Sequence, residues 1–212
     1  MLGFYDYTVI LTYLSAASSI VGMCFAIHQE FTGAIVCLLL SGLCDMFDGM
    51  VARTKKNRTE IEKKNGIQLD SLADVVCFGA FPAVIGYCLG MNTACSFLFA
   101  VAGAVFVLCA IIRLAYFNVT EEIRQQKTEG KRKSYEGLPV TSVALLIPAL
   151  FCTRGILGDK FPFVYAVALL VFGLCFITNF KIRKFGLKGN FVMLGIGLLI
   201  LAILIALKWN GI

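Results

Sequence analysis

Seven stretches of this chain stay apolar for about the thickness of a bilayer, at roughly 8–28, 32–53, 68–90, 94–118, 138–154, 161–181 and 189–208. A helix crosses the hydrocarbon core in about 20 residues. No open strand edge can sit in lipid, because its N–H and C=O groups would go unsatisfied. The pattern therefore predicts an all-α fold: a polytopic transmembrane helix bundle, with residues 1–212 forming a single integral membrane domain. The fifth stretch is short, with Pro139 at its start and Pro148 inside. Composition agrees, with 59% hydrophobic and only 15% charged residues. Soluble domains carry about 25% charged residues.

No Lys or Arg precedes the first apolar run, so it reads as a retained helix, not a cleaved signal peptide. Nine cysteines are scattered, without a CxxC pair, and read as small buried hydrophobes instead of a disulfide or zinc framework. His28, the one histidine, falls at the outer end of the first helix. Trp209 reads as an interfacial anchor.

Charge sorts the connections. The loops after the second, fourth and sixth apolar stretches hold 15 of the 19 Lys and Arg residues, and these loops share one side of the bundle. By the positive-inside rule that side is cytoplasmic, with the N-terminus inside; in a prokaryote the membrane would be the cell membrane. Bilayer topology accounts for the net charge of +6 without a nucleic-acid partner.

Within the stretch LLLSGLCDMFDGMVAR, Asp45 and Asp48 are spaced i, i+3 and share a helix face. Gly49 and Ala52 continue that face with almost no side chain, and Arg53 suits a pair of phosphate oxygens. Beyond the basic loop, Gly66 opens the third apolar stretch, followed by Asp70 and Asp74 at i, i+4. If these two helices are antiparallel neighbours, four carboxylates converge just inside the cytoplasmic surface. Such a set cannot stay ionised uncompensated. Hard divalent ions are its natural counter-charge, and two of them would clamp phosphate oxygens as a P–O bond breaks. The plainer alternative is a group of helix-end charges bathed by headgroups.

The same residues, Asp45-x2-Asp48-Gly49-x2-Ala52-Arg53 and Gly66-x3-Asp70-x3-Asp74, resemble the signature of the CDP-alcohol phosphotransferase (CDP-alcohol phosphatidyltransferase) family. The resemblance implies a six-helix core, so the apolar stretch at 189–208 would be an extra C-terminal helix. It also implies a homodimer. Asp45, Asp48, Asp70 and Asp74 would bind Mg²⁺ or Mn²⁺, with two ions expected, and Asp74 would act as general base. Asp45, Gly49, Ala52, Arg53 and Gly66 would line the CDP site. One departure is the stretch 54–65, longer than the family's usual spacing by about one helical turn.

IIRLAYFNV and YEGLPVTSVALL further resemble the phosphatidylserine synthase branch, which implies CDP-diacylglycerol and L-serine as substrates. Cys77 stands where that branch often has Ser, and Tyr116 where Arg is common. In the first helix, Thr12, Ser15 and Ser18 offer hydroxyls to the nucleotide, although such hydroxyls more often bond their own backbone or pack against a neighbouring helix. Serine brings a carboxylate that needs a cation, so Arg113 and Asn118 are expected to hold the acceptor. The competing expectation for Arg113 is snorkelling to headgroups. Gly137, Leu138 and Pro139 are expected to shape the chain's re-entry after the basic loop. Other acceptors (glycerol phosphate, inositol or inositol phosphate) and, more distantly, a cation-coupled transporter remain as rival readings. A membrane prenyltransferase would lack the DG-x2-AR spacing.

Overall fold

The computed structural model describes residues 5–52, 54–55, 57–127, 134–183 and 187–209. Helices α1 (Ile10–Ile27) and α2 (Phe31–Ala52) form an antiparallel hairpin. Its tight turn is closed by Gln29 N–H to Ala26 O at 3.0 Å and Glu30 N–H to Phe25 O at 2.9 Å. The two helices approach closely because Gly22 has no side chain: a Cβ there would collide with Cys37 and with the Phe81 ring.

Helix α3 (Glu60–Asp74) starts eight residues before the expected position at 68. The cause is a capping box. Thr59 Oγ1 accepts from Glu62 N–H at 3.2 Å, and the Glu62 carboxylate accepts from Thr59 N–H at 2.7 Å. The helix then runs through a wide π turn, Val75–Ala80, into α4 (Phe81–Gly90). There Phe81 N–H reaches back five residues to Val76 O. Pro82 follows with no N–H to donate, and its carbonyl accepts from the buried Tyr165 hydroxyl at 3.1 Å.

Helix α5 (Ser96–Lys127) outruns its apolar stretch because the residues after Asn118 are mostly good helix formers such as Glu, Gln and Arg. Strand β1 (Ser134–Glu136) pairs antiparallel with β2 (Lys181–Arg183), Ser134 opposite Arg183. The loops after α5 and before the last helix therefore meet at one end. Lys64 pairs with Glu122 at 2.9 Å, which brings the flank of the first basic loop to that same end.

Between β1 and β2 the chain crosses through a 3₁₀ turn (Val140–Ser142), α6 (Val143–Phe151), α7 (Arg154–Leu157) and α8 (Phe161–Ile177). Gly137 has φ +73°, and a Cβ on it would come within 2.8 Å of Phe176 O. Its N–H donates to Phe180 O at 2.7 Å, and Leu138 N–H donates to Cys175 O at 3.1 Å. The Gly-Leu-Pro turn is thus seated on the inner end of α8.

Among the described residues, five helical segments are long and apolar enough to cross a membrane: Tyr7–Ile27, Phe31–Ala52, Glu60–Gly90, Ser96–Arg124 and Arg154–Ile177. The protein is an integral membrane helix bundle. The expected fifth and seventh spans are shorter, Val140–Phe151 and Val192–Ala206. Extended backbone at Pro139 delays the start of the former, and the Cys152–Thr153 turn ends it. The last helix, α9 (Leu187–Trp209), packs Ile200 and Leu204 into the core beside α2 and α6. Phe78, Phe81, Phe106, Phe161, Tyr165 and Phe176 fill the centre. All nine cysteines are free thiols. Cys37, Cys77, Cys88 and Cys109 are buried as expected, whereas Cys24 and Cys95 lie on the bundle surface.

Candidate active site

The antiparallel course of α2 and α3 brings the Asp-bearing inner ends together. One carboxylate oxygen from each of Asp45, Asp70 and Asp74 lies within 4.8 Å of the other two. Asp45 faces Asp74, and Asp48 faces Asp70, so all four belong to one cluster. Asp74 is only 8% exposed. No ion pair among the described residues engages these four carboxylates. An all-oxygen donor set of this density fits a hard divalent cation.

Beside the cluster, a Cβ on Gly49 would meet nothing within 4 Å, so the backbone there faces open space. Ala52 closes α2 half-buried, and Arg53 lies outside the described residues. Helix α1 contributes Thr12, whose hydroxyl donates to Asp48 Oδ2 at 3.3 Å. Ser15, one turn deeper, donates to Ser41 O at 3.1 Å and contacts Cys77 Sγ at 3.4 Å. Ser18 donates to Cys37 O at 3.0 Å. Those two hydroxyls are engaged in the interface between helices, as the packing alternative anticipates. The imidazole of His28 is at the opposite turn, bonded to Cys24 O at 2.8 Å.

Helix α5 flanks α3 on its other side. Asn118 and Ser71 are linked through Asn118 Nδ2 donating to Ser71 Oγ at 2.8 Å. Deeper in the bundle Ala110 lies against Gly79. These two contacts set an antiparallel register in which Arg113 is level with Val76, just past Asp74. Arg113 is only 6% exposed, its Nε donates to Leu138 O at 3.5 Å, and its guanidinium lies 5.6 Å from the Phe117 ring centre. A side chain this buried does not snorkel; it ties α5 to the Gly-Leu-Pro turn. Ser71 was not singled out from the sequence, although its place between Asp70 and Asp74 puts it on the face turned to α5.

A second polar group braces the rim. Lys55 pairs with Asp6 at 2.7 Å and with Glu62 at 3.0 Å, and the hydroxyls of Tyr7 and Thr54 lie 3.1 Å apart. The Lys55 ammonium above all, with the Thr8 hydroxyl and backbone, holds the Asp6 carboxyl down at about 2. The longer stretch 54–65 thus has a defined role in part: it begins α3 early and fastens the N-terminal segment to it.

The family profile for CDP-alcohol phosphatidyltransferase matches residues 8–208. The chain is 41% identical over 129 residues to the CDP-diacylglycerol–serine O-phosphatidyltransferase of Saccharomyces cerevisiae, covering 59% of this chain and 44% of that one. It is 33% identical over 144 residues to the archaetidylserine synthase of Methanothermobacter thermautotrophicus, covering 68% and 57% respectively. It is 29% identical over 182 residues to a CDP-diacylglycerol–serine O-phosphatidyltransferase of Helicobacter pylori, covering 81% and 70%. The matched region spans about half the length of the yeast and archaeal relatives.

Proposed function

The chain belongs to the CDP-alcohol phosphatidyltransferase family, and from that premise we propose that it moves the phosphatidyl group of CDP-diacylglycerol to the hydroxyl of L-serine. The products are phosphatidylserine and CMP. One observation carries the reading: two membrane helices converge Asp45, Asp70 and Asp74, with Asp48 against Asp70, beside an open glycine face. The names of the relatives support serine as acceptor, since two name serine as the partner of CDP-diacylglycerol and the third names a serine-bearing product.

Asp45, Asp48, Asp70 and Asp74 are the residues that would hold divalent cations, with Mg²⁺ or Mn²⁺ and a pair of ions as the proposed occupants. Bound there, such ions neutralise phosphate charge as Lewis acids. The chain's own residues do the rest. Asp74 takes the proton of the acceptor hydroxyl as its oxygen bonds to the phosphorus that carries the lipid. The P–O bond to CMP breaks, and CMP leaves with the electron pair. A buried carboxylate suits this role because few waters compete for its lone pairs.

Gly49 and Ala52 leave room for the CDP moiety against the backbone, and Asp45, Arg53 and Gly66 are the other residues assigned to that moiety. Thr12 is the α1 hydroxyl assigned to this side, because it already reaches Asp48. Ser15 is assigned to helix packing instead. Arg113 and Asn118 form the acceptor side: Asn118 is joined through Ser71 to the Asp70–Asp74 face, and Arg113 supplies a buried cation for the serine carboxylate. The site opens on the cytoplasmic leaflet of the cell membrane, as the clustered basic loops favour. The enzyme is proposed to act as a homodimer, which sedimentation in a neutral detergent would test.

Purified protein supplied with CDP-diacylglycerol, L-serine and a divalent cation should release CMP, and omission of serine should stop it. Release that ignores serine, or that occurs only with glycerol phosphate or an inositol acceptor, would overturn the substrate assignment.

A further inference from the structure

Arg58 lies in the longer stretch between Arg53 and Gly66, outside the family signature. Its guanidinium points end-on at α3: a Cβ at Gly66 would sit 2.7 Å from Arg58 Nη2 and 3.7 Å from its Cζ. Glycine at 66 therefore admits this nitrogen against the helix backbone, where any side chain would push it away. Yet the fork is poorly matched. Nη2 has one long bond, 3.3 Å to Glu62 O, an acceptor that the helix already uses. Nε is buried with no hydrogen-bond partner. The two nearest carboxylates in sequence are both occupied, Glu60 with Lys63 and Glu62 with Thr59 and Lys55.

A buried guanidinium N–H without an acceptor is strongly unfavourable, so an oxygen ligand would gain from meeting it. Its position says which one. Gly66, Asp70 and Asp74 follow at four-residue spacing along one stripe of α3, so Arg58 stands about one turn from the carboxylate cluster. A planar fork presents two parallel donors to phosphate oxygens, a geometry that Lys cannot reproduce. We propose that Arg58 is a further substrate-binding residue, donating to the diphosphate oxygens of the CDP-linked lipid. The proposal rests on the CDP site of the preceding section and adds a contact that the signature does not contain. Lys55, the neighbouring cation, does not compete for this role because Asp6 and Glu62 hold it.

The test measures binding of soluble CDP, CMP and cytidine, with Mg²⁺ present, to protein in neutral detergent free of anionic lipid. Ordinary headgroup phosphates are thereby removed as a source of the effect. Arg58→Gln should weaken CDP by about 10- to 100-fold, CMP by less, and leave cytidine unchanged. The unchanged cytidine affinity also reports that the variant is folded. Arg58→Lys keeps the charge without the fork and should lose several-fold on CDP alone, which decides the matter if the Gln variant does not fold. Unchanged CDP affinity in the Lys and Gln variants, or equal losses for CDP and cytidine, would overturn the proposal. Wild-type protein that binds CDP-diacylglycerol but transfers nothing to serine would sink the acceptor assignment and leave Arg58 standing. Wild-type protein that binds no cytidine nucleotide would sink both.

Discussion

The two ends of this bundle handle buried polarity in opposite ways. Toward the outer end, polar groups satisfy one another: the hydroxyls of Ser19 and Ser41 are 2.7 Å apart, and Tyr165 donates to Pro82 O. Around them Gly22 and the central phenylalanines pack without room to spare. Toward the inner end, four carboxylates are gathered with no described basic partner, and Gly49 faces open space. The outer half holds the helices in place. The inner half holds charges that the fold alone does not compensate. Stability and activity should therefore fail separately when either half is altered.

The largest effect is expected at the inner end. Asp74→Asn should lower CMP release by at least about 10²–10⁴-fold, the usual worth of a positioned base. It should leave the melting temperature in detergent unchanged or raised, because one of four crowded anions is gone. A large fall in melting temperature would mean that the cluster is structural. Gly22→Leu probes the other end and should destabilise by about 1–3 kcal/mol through overpacking against Phe81 and Cys37. The protein that remains folded should keep its kcat/KM for serine. Next in size, Arg113→Lys should raise the KM for serine about tenfold with little change in the KM for CDP-diacylglycerol, since the point charge survives but the planar fork does not. An unchanged KM would give Arg113 a structural role, to which its bond to Leu138 O belongs.

The smallest effect concerns the rim. Asp6 has its carboxyl depressed by Lys55, so the pair stabilises the fold above the ordinary carboxylate range and fades as pH falls toward about 2. Asp6→Asn should lower stability near neutral pH by less than about 1 kcal/mol. That difference from wild type should shrink below pH 4 and vanish near the depressed value. A difference that grows on acidification would contradict the ion pair.

Much of this comparison could be read before any coordinates. The carboxylate cluster follows from two spacings, Asp45/Asp48 and Asp70/Asp74, once the helices are antiparallel. The shared end of the basic loops follows from charge alone. Other parts depend on choices that periodicity does not record. Thr59 and Glu62 spell a capping box, yet the polar residues after them carry no apolar stripe to announce a helix. The pairing of Ser71 with Asn118 depends on the register between α3 and α5, which is set by packing such as Ala110 on Gly79. By sequence Arg58 is one more cation of the lysine-rich loop; the approach of its Nη2 to Gly66 depends on how the loop folds back on α3. The Gly-Leu-Pro stretch does shape the re-entry, but its partners are carbonyls at the end of α8, remote in sequence.

The wide turn at Val75–Ala80 separates two tasks within one rod. Before it, Asp70 and Asp74 must point at the cluster; after it, Phe81 and Ile85 must point at the core. An unbroken α-helix would lock those directions together at 100° per residue. The extra residue acts as a phase adjuster, letting one half be aimed without turning the other. Removing one residue from this turn would rotate one task out of alignment while changing no side chain in either, so sequence variation between Asp74 and Phe81 is constrained in length before it is constrained in kind.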